Sequence, residues 1–313
     1  MRTNHPIIAV IGAGAVGGYY GARLAQHGHD VHFLLRSDYS AVREKGLSVR
    51  SHAGEFQLPA GQVHVYDDPT KMPKADLVLV TLKTTSKHQY EPLIRPLIKD
   101  DTAILTLQNG LGNEDRLAEL FGADRILGGM AFVCINRISP GVIHHIDHGV
   151  IRMGEFDGGP SDRASRIADW LIQSKVPCEV LPDLRFGRWA KLVWNIPFNG
   201  LGASLDLTTD KLIEEEGGTR LVVGIMNEVI AAAEAMGMTM PDDMIDRQMR
   251  HTRTMGPYRS SMQIDRQEGR ALEVESILGE PLRQARKAGV KTPRLEMLYE
   301  MTRLVDAHLR TPR

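Results

Sequence analysis

Five apolar residues, Ile7 to Ile11, run directly into Gly12-Ala13-Gly14-Ala15-Val16-Gly17, and a helical pattern follows from Val16 to His27. Glycine alone tolerates the backbone that joins a buried strand to a helix over so few residues. In a G-x-G-x-x-G turn of this kind the first glycine permits the tight reversal. The second lets the backbone approach a pyrophosphate, and the third lets the helix pack closely on its strand. The amide groups at the helix N-terminus then face the anion. Gly28 is placed to end the helix. Further apolar runs at Val31–Leu35, Leu77–Leu82 and Ala103–Leu107, each bounded by polar or turn residues, suit strands buried on both faces. Apolar runs alternating with helical patterns predict a parallel sheet.

Two stretches interrupt that alternation. Residues 47–65 hold glycines and short alternating segments, and are expected to form a strand-rich insertion. Val142–Ile146 and Val150–Met153 flank His148-Gly149 and read as a hairpin. Its histidines, His144, His145 and His148, raise the question of a metal. Neighbours on a strand face opposite ways, so surface histidines and no metal site are expected. Beyond about Pro182 the pattern becomes helical. Leu221, Val222, Ile225, Met226, Val229, Ile230 and Ala233 form one stripe, and Leu295, Leu298, Tyr299, Leu304 and Val305 form another behind Pro293. The fold class expected is an α/β N-terminal Rossmann-type parallel sheet, residues 1–183, followed by an all-helical C-terminal domain, residues 184–313.

Composition limits the function classes. A formal charge of −1 provides no global basic field for nucleic acid or an anionic membrane. Arg283, Arg286, Lys287 and Lys291 are spaced as an exposed helix face. Two cysteines, Cys134 and Cys178, lack a disulfide or zinc spacing and fit a reducing compartment. Met1 to Pro6 lacks the apolar run of a signal peptide, and no run approaches the ~20 residues of a membrane span. A cytoplasmic protein is expected.

The strand ends carry the next signals, because ligands of open α/β sheets bind beyond them. An NAD site wants an acid about 20 residues past the turn, to accept from the ribose hydroxyls. Arg36 stands there instead, directly after Leu34-Leu35, and its charge and bidentate fork suit a 2′-phosphate. NADPH is therefore the expected cofactor, although Asp38 lies two residues on and leaves NADH use open. Lys83 follows Leu77–Leu82 and is placed to reach a phosphate. Asn109 follows Ala103–Leu107 and is placed for the ribose or the substrate.

Reduction of a ketone leaves negative charge on oxygen, so a proton donor is needed. Lys191, Asn195 and Asn199, four apart, share one side of a helix whose other residues include Leu192, Val193, Trp194 and Phe198. A lysine desolvated in such company has a lowered pKa. The blander alternative is a lysine snorkelling to solvent beside loop-binding asparagines. Pro197 should kink this helix. Further on, Gly269 separates two helical pieces, which puts Glu273 in the first turn of the second. Ser261 supplies a hydroxyl for a carboxylate, with a capping or solvated role for both equally open.

In order and spacing these motifs resemble the ketopantoate reductase (2-dehydropantoate 2-reductase) family over nearly the whole chain. The resemblance rests on the GAGAVGG turn, Leu82-Lys83, Leu107-Gln108-Asn109-Gly110, Lys191-x-x-x-Asn195-x-x-x-Asn199, Ser260-Ser261-Met262 and Glu273. It implies NADPH-dependent reduction of ketopantoate to pantoate in pantothenate synthesis. Lys191 would be the proton donor, and Glu273 would lie where cofactor and substrate meet. Gly12 to Gly17, Arg36, Lys83 and Asn109 would bind the cofactor, and Asn109, Asn195, Asn199 and Ser261 the 2-keto acid. Oligomeric state stays open, a homodimer included. The chain departs from the family's usual pattern in four places. Gly200 stands for a proline, and Thr208-Thr209 for a substrate asparagine. Leu272–Gly279 replaces T-E-I-D-Y-x-N-G, and Gly128–Phe132 lacks the usual threonine and histidine. A paralogue reducing another 2-keto acid, or a regulatory NADPH-binding protein without turnover, are the competing readings.

Overall fold

A computed structural model describes residues 6–310 of the chain. The stretch 1–5, read above as free of a leader, lies outside them. The chain forms two compact units. Residues up to Gln108 together with Asn113–Leu184 make the first, and Asn109–Gly112 with the chain from Arg185 onward make the second.

The first unit is built around a parallel-dominated sheet. In chain order its elements are β1 (Ile7–Ile11), α1 (Ala15–Gln26), β2 (Asp30–Leu34), α2 (Tyr39–Lys45), β3 (Leu47–Ser51), β4 (Phe56–Leu58), β5 (His64–Tyr66), β6 (Leu77–Val80), α3 (Tyr90–Ile94), β7 (Ala103–Thr106), α4 (Asn113–Phe121), β8 (Ile126–Ser139), β9 (Val142–Glu155), α5 (Asp162–Gln173) and β10 (Cys178–Val180). The sheet order is β4-β3-β9-β8-β7-β6-β1-β2-β5, with β10 added alongside β9. All pairings are parallel except β3 with β4 and β8 with β9. Alternate residues of β1 enter two separate cores, which is why its sequence is apolar throughout. Ile8 and Val10 join Tyr20, Leu24 and Phe33, whereas Ala9 and Ile11 join Tyr90, Ile94, Leu97 and Leu117.

The expected hairpin at His148-Gly149 is not one. Residues 142–155 are a single strand, β9, antiparallel to β8, and the reversal lies at Pro140-Gly141. His148 (φ 62°) and Gly149 (φ 125°) instead form a bulge, where the register steps from Phe132↔Val150 to Val133↔His148. His145 is also not a surface histidine. It is buried, with Nδ1 2.8 Å from Ser51 Oγ and Nε2 3.0 Å from the His148 carbonyl oxygen, and its ring lies against Tyr19. His144 and His148 are exposed. Among the described residues no His, Cys, Asp and Glu cluster is arranged to hold a metal ion.

The second unit is helical: α6 (Leu184–Leu205), α7 (Thr209–Glu214), α8 (Glu216–Ala235), α9 (Met244–Thr254), α10 (Ser261–Gln267), a π-helical turn at Glu275–Gly279, α11 (Glu280–Lys287) and α12 (Pro293–Arg310). The stripe of α8 buries Val222, Ile225, Met226, Val229 and Ala233, but Leu221 is 41% exposed. On α12, Leu295 and Leu298 are buried while Leu304 is 72% exposed. The 3.6-residue period aims only one face of each helix inward, and both leucines fall off it. The Glu228 carboxylate of α8 accepts from the backbone N–H groups of Arg294 and Leu295, so α8 caps the start of α12. Among the described residues no helix is long and apolar enough to cross a membrane.

Gly12 (φ +97°) has no room for a side chain, since a Cβ there would stand 2.5 Å from the Leu82 backbone nitrogen. Gly28 (φ +88°) has open space around it. Gly28→Ala is expected to destabilise by about 1 kcal/mol, the left-handed penalty alone. Gly12→Ala should cost roughly 1–3 kcal/mol more, from the added backbone collision. Denaturant unfolding of both variants checks this, and equal losses would mean that the Leu82 strand end yields freely.

Candidate active site

The glycine turn is held by its neighbour strand. Thr81 Oγ1 donates to the Gly12 carbonyl at 2.8 Å, and the Thr81 N–H donates to the Ile11 carbonyl. A Cβ on Gly17 would collide with that same Thr81 hydroxyl, which accounts for the third glycine. At the start of α1, Gly14 offers no side-chain cap and the first turn holds no acid. A helix start of this kind, without a capping side chain or an acid, is chemically suited to an anion.

Arg36 is exposed just past β2. Asp38 behaves differently. It is buried, Arg137 Nη1 donates to its Oδ1 at 2.6 Å, and the Gly141 N–H donates to its Oδ2 at 3.1 Å. Lys83 is exposed directly after Thr81-Leu82, where a short 3-10 turn begins. Gln108 ties the two strand ends together: its Nε2 donates to the Leu82 carbonyl at 2.7 Å, and its Oε1 accepts from Tyr90 and Thr106.

In the second unit α6 presents Arg188, Lys191, Asn195 and Asn199 at steps of three and four residues. Lys191 is partly buried, and its Nζ donates to Asn109 Oδ1 at 3.1 Å. Desolvation pulls the Lys191 pKa down to about 7, helped by the positive charge of Arg188 and opposed by Glu273. Glu273 is only 3% exposed and sits two residues ahead of the π-helical turn, before its capping residue Val274, rather than in the first turn of a helix. Its carbonyl accepts from the Ile277 N–H at 3.2 Å. The π-helical turn that follows is braced by the segment 109–112, because the Leu111 N–H donates to the Ser276 carbonyl and Gly110 packs its Cα on the same group. Lys191 thus meets Asn109 through a side-chain hydrogen bond and Glu273 through their opposite charges, while a backbone hydrogen bond ties the 109–112 segment to the turn after Glu273.

Asn199 and Ser261 form a second group. The Asn199 Oδ1 accepts from Ser261 Oγ at 3.2 Å and from the Met262 N–H at 3.1 Å, while Ser260 caps α10. Asn195 lies one turn from both groups along the helix and is buried. Trp189 is fully buried, and Trp194 stacks on Phe198 and donates to Thr252 at 3.0 Å. Both tryptophans therefore pack the helix. Two members of the constellation were missed from the sequence. Arg188 is 4% exposed and lies three residues before Lys191, a spacing that alone could have flagged it. Gln108 was quoted in the motif but given no role; its three-way bonding depends on contacts that spacing does not reveal.

The turn, the mixed sheet and the lysine-bearing helix define a dinucleotide-dependent oxidoreductase acting on CH–OH groups. Known proteins match at full length. Residues 8–158 match the family model described as ketopantoate reductase PanE/ApbA, and residues 183–306 match its C-terminal counterpart. The chain belongs to the ketopantoate reductase family. A 2-dehydropantoate 2-reductase from a Nostoc species is 46% identical, with 98% of each chain covered. The crystal structure of 2-dehydropantoate 2-reductase from Geobacter metallireducens superposes with a TM-score of 0.93 at 48% identity, covering 95% of this chain and 99% of that one. D-mandelate dehydrogenase, solved with NADH and anilino(oxo)acetate, shares the fold at 23% identity and a TM-score of 0.88, covering 98% of this chain and 100% of that one.

The lowered Lys191 pKa has a thermodynamic consequence. Between about 7 and the ordinary 10.5, the unfolded chain binds a proton at this lysine that the folded chain does not, so this group makes stability rise with pH across that window. Lys191→Met should therefore stabilise most at pH 7 and below, and its advantage should shrink toward pH 10.5. Urea unfolding of both proteins at several pH values checks the trend, and a pH-independent difference would mean the ammonium is well solvated.

Proposed function

We propose that the protein reduces 2-dehydropantoate (ketopantoate) to pantoate with NADPH, in pantothenate synthesis, and that Lys191 delivers the proton. The observation that carries this reading is the lysine itself: a group with a pKa near 7, on a buried helix, donating to Asn109. An acid whose pKa matches the working pH is the most effective proton donor. NADPH, when bound, supplies the hydride to the carbonyl carbon. Lys191 gives its proton to the carbonyl oxygen and is left as a neutral amine, the form that burial favours. Asn109 orients the ammonium through its Oδ1, and Glu273 keeps enough negative charge nearby for the lysine to be protonated again. Asn195, Asn199 and Ser261 hold the carboxylate and hydroxyl ends of the acid. Asn199 Oδ1 is taken by α10, which leaves its amide donors for that task.

The residues of the first unit fit the nucleotide. Gly12 and Gly17 let the turn pack tightly on Leu82 and Thr81, Gly14 leaves open space where a Cβ would stand, and the uncapped start of α1 suits a pyrophosphate. Exposed Arg36 suits the 2′-phosphate and exposed Lys83 a phosphate of the cofactor, while the Asp38 carboxylate is engaged elsewhere. A different 2-keto acid is the second reading. It is motivated by the departures from the family pattern at Gly128–Phe132, Gly200, Thr208-Thr209 and Leu272–Gly279.

Steady-state NADPH oxidation with ketopantoate, beside branched and unbranched 2-keto acids, tests the substrate. Strong preference for ketopantoate is expected, and turnover of another keto acid alone would move the chain to the second reading. Lys191→Ala should lower turnover by roughly a hundredfold or more while NADPH affinity stays nearly constant. The wild-type rate should fall as pH rises through about 7, as the donor loses its proton. Unchanged turnover in the variant would remove Lys191 from the chemistry. Arg36→Asp should weaken NADPH far more than NADH, and equal losses would sink the 2′-phosphate assignment.

A further inference from the structure

The loop between β2 and α2 carries both an arginine and an aspartate, Arg36 and Asp38, and the two ask for opposite ligands. An acid at the end of this strand accepts from ribose hydroxyls and repels a 2′-phosphate, whereas an arginine attracts that phosphate. The structure spends the acid elsewhere. Asp38 stands in the capping position of α2 yet accepts from none of that helix's own amides. Its Oδ1 instead takes hydrogen bonds from Arg137 Nη1 at 2.6 Å and Ser37 Oγ at 2.9 Å, and its Oδ2 takes one from the Gly141 N–H at 3.1 Å. The carboxylate side chain is left 8% exposed.

Arg137 and Gly141 both come from the β8–β9 reversal, about a hundred residues along the chain. That reversal is itself fixed, because the Gly141 carbonyl accepts from the Ser48 N–H of β3 at 2.9 Å. Gly141 also sits at φ +72°, with space for a Cβ limited by the Gly46 carbonyl and Val42. The reversal therefore reaches Asp38 as a preset arm carrying one cation and one amide donor.

We propose that Arg137 is a positioning residue for cofactor choice: by pairing with Asp38 it removes a carboxylate from competition at the adenosine end, leaving the net charge there to Arg36. The proposal rests on the NADPH reading and explains how the loop can hold an acid and still favour a phosphate. Charge arithmetic states the effect. With Arg137 present, the pair is neutral and Arg36 contributes +1. Without it, Asp38 cancels Arg36.

The test compares wild type, Arg137→Ala, Arg137→Lys and the double variant Arg137→Ala/Asp38→Asn. Equilibrium affinity is measured for NADPH and NADH, and for the fragments 2′,5′-ADP and 5′-AMP, which differ only in the 2′-phosphate. Arg137→Ala is expected to weaken NADPH and 2′,5′-ADP by roughly tenfold or more, the scale of one nearby charge in a partly solvated site, with NADH and 5′-AMP changed by about twofold at most. Arg137→Lys should keep most of the preference, and the double variant should recover most of the NADPH affinity. Equal losses for both members of each pair would overturn the proposal and leave Arg137 as a staple of the reversal. Failure of the double variant to recover would overturn it too, since Arg137 would then be acting other than through Asp38. A wild type that binds both cofactors alike would overturn the NADPH reading and this inference with it. A wild type that prefers NADPH and an Arg137→Ala variant that keeps the preference would overturn the inference alone.

Discussion

Taking an ammonium group out of water is unfavourable unless something compensates it, and the second unit is organised around one such group. Lys191 lies on a helix whose neighbours Leu192, Val193 and Ile196 are buried in its core. Arg188, one turn earlier, adds a like charge. Against these stand the Asn109 amide oxygen, within hydrogen-bond reach, and the Glu273 carboxylate. Glu273 stands just ahead of a π-helical turn, and Asn109 belongs to the four-residue segment Asn109–Gly112 of the helical unit. The chain route is roundabout because the balance of charge needs groups from distant stretches. Removing any one partner takes away part of that compensation.

The first unit answers a different requirement, close approach of backbone to a phosphate. Gly12, Gly17 and Thr81 form one interlocked turn, in which the space denied to a Cβ at Gly17 is filled by the Thr81 hydroxyl. Gln108 then couples the ends of β6 and β7 through the Leu82 carbonyl. Rigid elements supply the anchor points, and the exposed side chains Arg36 and Lys83 stand on the loops between them. Placement of binding groups on loops carried by a fixed scaffold is how one fold serves many ligands.

Three of the departures from the common family pattern are packing positions. Gly200 faces Leu298, whose side chain occupies the space of a Cβ. Thr209 holds the loop ahead of α10, with its N–H on the Tyr258 carbonyl and its hydroxyl on the Gly256 carbonyl. Leu278 is fully buried within the π-helical turn. These residues shape the helical unit from within, and the polar groups on α6 remain in register.

Strand β1, the glycine turn, helix α1 and its end at Gly28 were legible because local rules act there: an apolar run, a turn that only glycine permits, and a 3.6-residue period. The lysine-asparagine face of α6 was legible for the same reason. Leu221 and Leu304 were misjudged because a stripe read from spacing has no marked edge until a partner helix covers it. The bulge at His148-Gly149 was taken for a hairpin because both conformations call for the same residues, and only the register against β8 separates them. The Asp38–Arg137 pair and the meeting of Lys191 with Asn109 and Glu273 join residues roughly eighty to a hundred positions apart. Local periodicity carries no information about such pairs; the sheet order and the helix packing create them, because desolvated charges find their partners only when the chain has closed.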